Sequence, residues 1–295
     1  MTSETSMLLS EKNKHPHDKY IKFRSCDHKY WVKDKDTDIV SSTKFIHHFF
    51  AEFNTDEIIK RILKGKQYKD PEYKYYNMTY YEIKKQWSDN ARASSEAGTR
   101  MHEKIESFYN EFEVEYDEHD EPEMTQFMQF YEDHKDLKVY RTEWMIYSES
   151  LRLTGSVDIV FKNDDGTVSL GDWKRSKEIH YKSYGNKCGQ YPFEHLPDCN
   201  YYHYSLQLNL YRVILEKFYD IDVKDMFLII CHPDNKDGNY IKIPVNRMTK
   251  ESEYLLDYRK QQLIDLKYPR ELFDNLALTH TLETERDEVE YKRLL

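Results

Sequence analysis

The sequence predicts an α/β protein with a mixed central sheet flanked by helices. Three observations carry that prediction. The first 135 residues show helical periodicity and capping signals; near residue 139 the apolar period shortens from 3.6 to 2; and a long amphipathic helix at 203–219 precedes two more strands. Helices, three strands, a helix and further strands is an α/β order. The 295 residues are 33% charged with a formal net charge of −10. That balance argues against wholesale electrostatic binding of nucleic acid, while allowing a local basic groove.

Taken in order, residues 1–18 read as a loose tail, because the apolar run Met7–Leu9 is too short for a secretory signal. The stretch 19–42 alternates and suggests a hairpin. Ser41, Ser42 and Thr43 offer caps for a helix through Phe50. DEIIKRILKGK after Thr55 has acids first, basic residues later and Gly65 at its end, the polarity of a helix. Residues 66–78 are polar and tyrosine-rich, with Pro71 as a breaker. Thr79 and Glu82 have capping-box spacing. The stripe Ile83, Trp87, Ala91 resumes at Met101, Ile105 and Phe108, either as one helix over 80–113 or with a break at Ser94–Ser95. A further helix covers 122–135.

VYRTEWMIYSES (139–150), LRLTGSVDIVF (151–161) and TVSLGDWK (167–174) read as a three-stranded meander. Residues 185–200 hold two glycines and two prolines and read as a loop. DMFLIICH (225–232) is a buried strand; 239–245 is a strand placed at an edge by Pro244. A helix over 249–266 and a charged tail over 271–295 complete the chain. The expected units are the tail 1–18, a hairpin and helical extension 19–93, a core 94–270 and the tail 271–295. No apolar run approaches the roughly 18 residues of a membrane helix. Four scattered cysteines suggest free thiols in a reducing, intracellular compartment.

Charge inside the second and third strands is the informative anomaly. A two-residue Asp165–Gly166 turn would put Asp158 and Asp172 on opposite faces. A three-residue loop, Asp164–Asp165–Gly166, makes paired residue numbers sum to 330 and puts Gly166 in the left-handed position. Asp158 then lies across from Asp172, with Lys174 on the same face. Two carboxylates about 5 Å apart at Cβ repel. A hard divalent cation such as Mg²⁺ resolves the repulsion, and the lysine suits a phosphate. A cross-strand salt-bridge cluster is the plain alternative.

GTRMH on a helix, GSVD on one strand, GDWK on the next and QLNLY on the following helix form an ordered set over roughly residues 79–245. Together they resemble the PD-(D/E)XK phosphodiesterase superfamily, and within it the RecB-like exonuclease branch. The resemblance implies a restriction-endonuclease-like core with an N-terminal helical extension. It further implies a DNA exonuclease of replication, repair or recombination that hydrolyses single-stranded or free DNA ends with one or two Mg²⁺ or Mn²⁺ ions. His102, Asp158, Asp172 and the Trp173 backbone carbonyl would bind metal. Asp158, Asp172 and Lys174 would be catalytic, with Glu143 assisting. Gln207, Tyr211, Arg175, Lys177, Ser42 and Thr43 would meet the substrate. Asp172 stands where many relatives have glutamate.

Lys174, Arg175, Lys177, Lys182 and Lys187 form a basic strip leading away from the acidic centre, and Trp173, Tyr181, Tyr184, Tyr191, Tyr201, Tyr202 and Tyr211 offer stacking surfaces. Expected partners are DNA and other replication or recombination proteins, with no membrane. Some members of the branch carry a four-cysteine iron–sulfur cluster; Cys26, Cys188, Cys199 and Cys231 lack its clustering, so none is expected. Two other readings remain: a nucleic-acid end-binding module without chemistry, and a structural protein binding zinc through Cys188, His195, Cys199 and His203.

Overall fold

A computed structural model of the chain describes residues 7–276. In chain order the elements are α1 (Leu9–Lys12), β1 (Ile21–Arg24), β2 (Lys29–Val32), β3 (Val40–Ser41), α2 (Ser42–His47), α3 (Thr55–Lys64), α4 (Tyr80–Tyr109) and α5 (Glu121–Asp133). They continue with β4 (Lys138–Ser148), β5 (Leu153–Lys162), β6 (Val168–Lys174), α6 (Asn200–Phe218), β7 (Val223–Ile230), β8 (Ile241–Pro244) and α7 (Thr249–Asp265). The α/β architecture is as expected, with β1 and β2 forming a separate hairpin. The charged tail beyond 276 lies outside the described residues. Within 271–276, Phe273 is buried in the main core. Among the described residues no helix is long and apolar enough to cross a membrane.

Six strands make one mixed sheet. β5 pairs antiparallel with β4 along its whole length, and on its other edge first with β3, parallel, then with β6, antiparallel. β7 adds parallel to β6, and β8 closes the edge antiparallel to β7, where Pro244 costs no interior hydrogen bond. One face carries the larger core, with Leu206, Leu210 and Val213 of α6 against Trp144, Val157, Leu170 and Leu228. The other packs Met101 and Ile105 of α4 and Phe127 and Phe130 of α5 against Ile159, Phe161 and Trp173.

The helices follow their signals. Thr79 caps α4 in a complete capping box with Glu82. The stripe is one unbroken 30-residue helix, so the 93/94 boundary drawn from the sequence falls inside a rigid element. α4 therefore joins the extension to the core.

Residues 9–18 correct the expectation of a loose tail. Leu9 is buried, and its N–H donates to Asn110 Oδ1 at 2.9 Å. Asp18 accepts from Arg141 Nη1 at 2.8 Å and from Trp144 Nε1 at 2.9 Å. His15 stacks on Tyr219 at 4.6 Å. Burial alone would raise the Asp18 carboxyl, but Arg141, the His15 N–H and Trp144 hold it below its ordinary value. Burial pushes both His15 and His17 below 6.5. Bases depressed in the fold contribute stability above pH 6.5 and lose it as pH falls through that value. Asp18 keeps its full contribution above about pH 3.8 and loses it as pH falls from there through its lowered value in the fold, so it plays no part near pH 6. Acidification to pH 5.5 is therefore expected to speed amide exchange of residues 9–18, after correction for intrinsic rates. His15→Gln/His17→Gln should abolish the difference; equal protection of the wild type at both pH values would contradict it.

Candidate active site

The β5–β6 hairpin has the expected register. Lys162 pairs with Val168 and Ile159 with Gly171, each pair summing to 330. The loop closes between Asn163 and Thr167, with Gly166 at φ +90°. Pairing stops at Ile159/Gly171, one step before Asp158 and Asp172 would face each other. There the strands part, and the Asp158 side chain takes over, its Oδ2 accepting from the Trp173 N–H at 2.8 Å.

A second irregularity coincides with the first. Val157 joins Leu153 in the core facing α6, yet Ile159 and Phe161 join the core facing α4. Residues two apart should share a face, so the alternation switches at Asp158. On β4 the residue in register with Asp158 is Glu143, between the pairs Thr142/Ile159 and Trp144/Val157. Glu143 adopts φ +43°, a left-handed conformation uncommon for a residue with a side chain. The two strands thus change face together. Carboxylates from both meet His102, which arrives on α4 from the sheet's other side.

His102 Nδ1 lies 3.2 Å from Glu143 Oε1 and 3.7 Å from Asp158 Oδ2; its Nε2 lies 3.0 Å from the Trp173 carbonyl oxygen. Both ring nitrogens face acceptors, so only the imidazolium can donate to both. Burial works against that charge, but Asp158 and Glu143 outweigh it and raise the pKa to about 9. Glu143→Gln removes one of those charges, so His102 should titrate below the wild-type value in an NMR pH series of the metal-free protein. An unchanged midpoint would mean that Glu143 does not act on the imidazole. Ser156 donates to the other Glu143 oxygen at 3.0 Å and holds the carboxylate in place.

Asp172 is 1% exposed, and neither of its oxygens accepts a hydrogen bond. Lys174 Nζ lies 2.7 Å from its Oδ2, an ion contact off the hydrogen-bonding direction, and sits 4.9 Å above the Tyr204 ring. Burial would lower the lysine pKa; Asp172 and Asp158 overcome this and raise it. Burial, then the Asp172 charge, raises the Asp158 carboxyl. Tyr211 is pushed well above 10 by burial and by the same two carboxylates, and its hydroxyl accepts from Gln207 Nε2 at 2.9 Å. Gly155 lets that ring lie on β5: a Cβ there would come within 2.2 Å of Tyr211 Cε1.

These donors suit a small hard cation. One ligand atom each from His102, Glu143 and Asp158 lies within 4.8 Å of the others. An imidazole and two carboxylates gathered in this way would be able to hold such an ion. The buried Asp172 oxygens, short of donors, are a second sign of fit.

Sequence reasoning brings His102, Glu143, Asp158, Asp172, Lys174, Gln207 and Tyr211 to this region, but not every substrate-binding expectation survives. Ser42 is fully buried and donates to the Thr154 carbonyl at 2.9 Å, tying α2 to β5. Thr43 is exposed on α2. Arg175 Nε is held by the buried Glu123 at 2.5 Å, so it is spent on structure. Lys177 pairs with Asp234 at the surface, leaving Lys182 and Lys187 exposed. The zinc alternative fails because its ligands disperse: His195 bonds Glu251, His203 bonds Asp198, Cys188 is exposed and Cys199 is buried. Tyr204 was missed, although it stands three residues before Gln207 on the same helical face. No sequence signal marks Glu123 as the partner of Arg175.

No protein-family model matches the chain, and no curated protein matches it. A solved structure titled "Crystal structure of SSO0001" is similar at 13% identity over 80% of each chain, with a TM-score of 0.31. That likeness carries no argument about fold or function.

Proposed function

We propose that this chain is a divalent-metal-dependent phosphodiesterase of the PD-(D/E)XK type, RecB-like in its motifs, with a restriction-endonuclease-like core. Its substrate is DNA with single-stranded or free ends, processed in replication, repair or recombination. The observation that carries the reading is the buried Asp172 carboxylate, accepting no hydrogen bond, beside Lys174 where β5 and β6 part. A structural salt bridge has no need of the further His102, Asp158 and Glu143 donors gathered there.

In this reading His102, Asp158, Asp172 and the Trp173 carbonyl hold Mg²⁺ or Mn²⁺. The bound ion supplies Lewis-acid stabilisation of the phosphate and makes water a better nucleophile. Lys174 keeps its proton at neutral pH because two carboxylates raise its pKa. In this reading Lys174 would face the scissile phosphate as a cation. Tyr211, kept protonated by burial, offers a phenol donor, and Gln207 fixes its orientation. Glu143 holds the imidazole of His102 in the metal-free protein and would assist His102 and Asp158 in holding the ion.

End-labelled single- and double-stranded DNA with Mg²⁺ or Mn²⁺ tests the proposal, comparing wild type with Lys174→Ala. Shortening by wild type and a loss of at least about a hundredfold in the variant is expected. Equal cleavage by both, or no cleavage of DNA or RNA by the wild type, would defeat it.

A further inference from the structure

Between residues 54 and 92 the chain builds a small unit with its own core. Ile59, Tyr75 and Ile83 are buried there, covered by Ile62, Leu63, Tyr73 and Trp87. α4 leads from this unit to the site, and its stretch 88–97 contains no buried residue. The unit reverses the charge of the protein. Residues 55–92 hold nine Lys/Arg and six Asp/Glu, in a chain of net charge −10.

Pairing sharpens the contrast. Lys84 bonds Asp56, while Lys85 and Arg92 share Asp89. Lys60, Arg61, Lys64, Lys66, Lys69 and Lys74 are all exposed, and none of them forms an ion pair. Lys60 and Lys64 stand four apart on one face of α3. Lys66 and Lys69, three apart, follow on the 3₁₀ turn after the extended Gly65. Phe53, just before the unit, is 68% exposed, and Tyr81 within it is 79% exposed.

Unpaired cations set among exposed rings match a single-stranded nucleic acid, with ammonium groups on phosphates and rings under bases. A protein partner would call for an apolar, charge-poor centre to the patch, and a membrane for a continuous apolar face. This unit instead carries six exposed cations without an ion pair in the same stretch of chain as its exposed rings, which is not a charge-poor surface.

We infer that the 54–92 unit is a second, non-catalytic contact for single-stranded nucleic acid, held at a fixed distance from the His102 site. The inference rests on the phosphodiesterase reading for the expectation that one strand spans both. Nineteen residues of unbroken helix separate Ile83 from His102, about 28 Å at 1.5 Å per residue. A stacked strand rising about 3.4 Å per nucleotide covers that span in about eight nucleotides.

Fluorescence anisotropy in EDTA, where nothing turns over, tests this with labelled single strands of 6 to 30 nucleotides. Wild-type affinity should step up once the strand exceeds about eight nucleotides, because two contacts then act on one chain. The Lys60→Gln/Arg61→Gln/Lys64→Gln/Lys66→Gln variant should lose the step and bind the 30-mer about tenfold or more weakly. Its salt dependence should flatten by about 0.7 per cation engaged. Tyr81→Ala should weaken the 30-mer about fivefold or more by removing one stacking platform. Unchanged affinity and salt slope in the quadruple variant would overturn the inference. So would polyglutamate competing as well as the oligonucleotide at equal charge, since that would indicate an acidic protein partner. If wild type binds as described yet cleaves nothing with any metal, the second contact stands and the phosphodiesterase reading falls.

Discussion

Asp172→Ala is expected to lower metal-dependent DNA hydrolysis by at least about a thousandfold while leaving the protein folded. The two consequences come from one geometry. Asp172 is 1% exposed; the Lys174 ammonium 2.7 Å from its Oδ2 offsets its charge, while no hydrogen-bond donor reaches either oxygen, so the carboxylate remains open to a metal cation. Removing it takes away a metal ligand and the partner of Lys174. It also relieves repulsion against Asp158, whose pKa is raised by burial and by Asp172. The lysine side chain retains 18% exposure and a ring contact with Tyr204, so it can turn toward water. The stability change should stay within about 1 kcal/mol by urea unfolding, as when function has been bought with strain. Near-wild-type cleavage by this variant would place the chemistry elsewhere.

Gly155→Ala should produce the largest loss of stability of any single methyl addition near the site, about 3 kcal/mol. The added Cβ would stand 2.2, 2.9 and 3.1 Å from three atoms of the Tyr211 ring. That ring is 3% exposed, so its packing leaves it little room to give way. Either the ring moves, carrying its hydroxyl away from Gln207, or β5 moves, carrying Asp158 with it. Activity should fall in both cases. In a Tyr211→Ala background the same methyl should cost far less, a coupling that a double-mutant cycle reads directly. Additive effects would show that the ring and the glycine are not in contact.

Much of the hairpin was legible because local rules govern it. The three-residue loop with glycine at the left-handed position sets the register, and the register places Asp158 one step beyond the last pair. The capping box at Thr79 and the QLNLY face were local too. What stayed hidden depends on distant chain. β3 occupies the β5 edge beside β6, so the strands part at Asp158; nothing near VDIVF announces it. The face switch at Glu143 requires a left-handed glutamate that no propensity favours. Residues 9–18 look like a tail until Asp18 meets Arg141 and Trp144, more than a hundred positions away. Arg175 reads as phosphate-binding until α5 brings Glu123 to it. A strand pattern reports which side chains share a face, not which of them already have partners.

Calorimetric titration of Mn²⁺ into the wild type and into Asp158→Asn tests the central claim most directly, because it asks about the cation before any chemistry. The account predicts saturable uptake by the wild type, accompanied by proton release as the His102 imidazolium gives way, and loss of that uptake in Asp158→Asn. No uptake by the wild type, or identical uptake by both proteins, would contradict it.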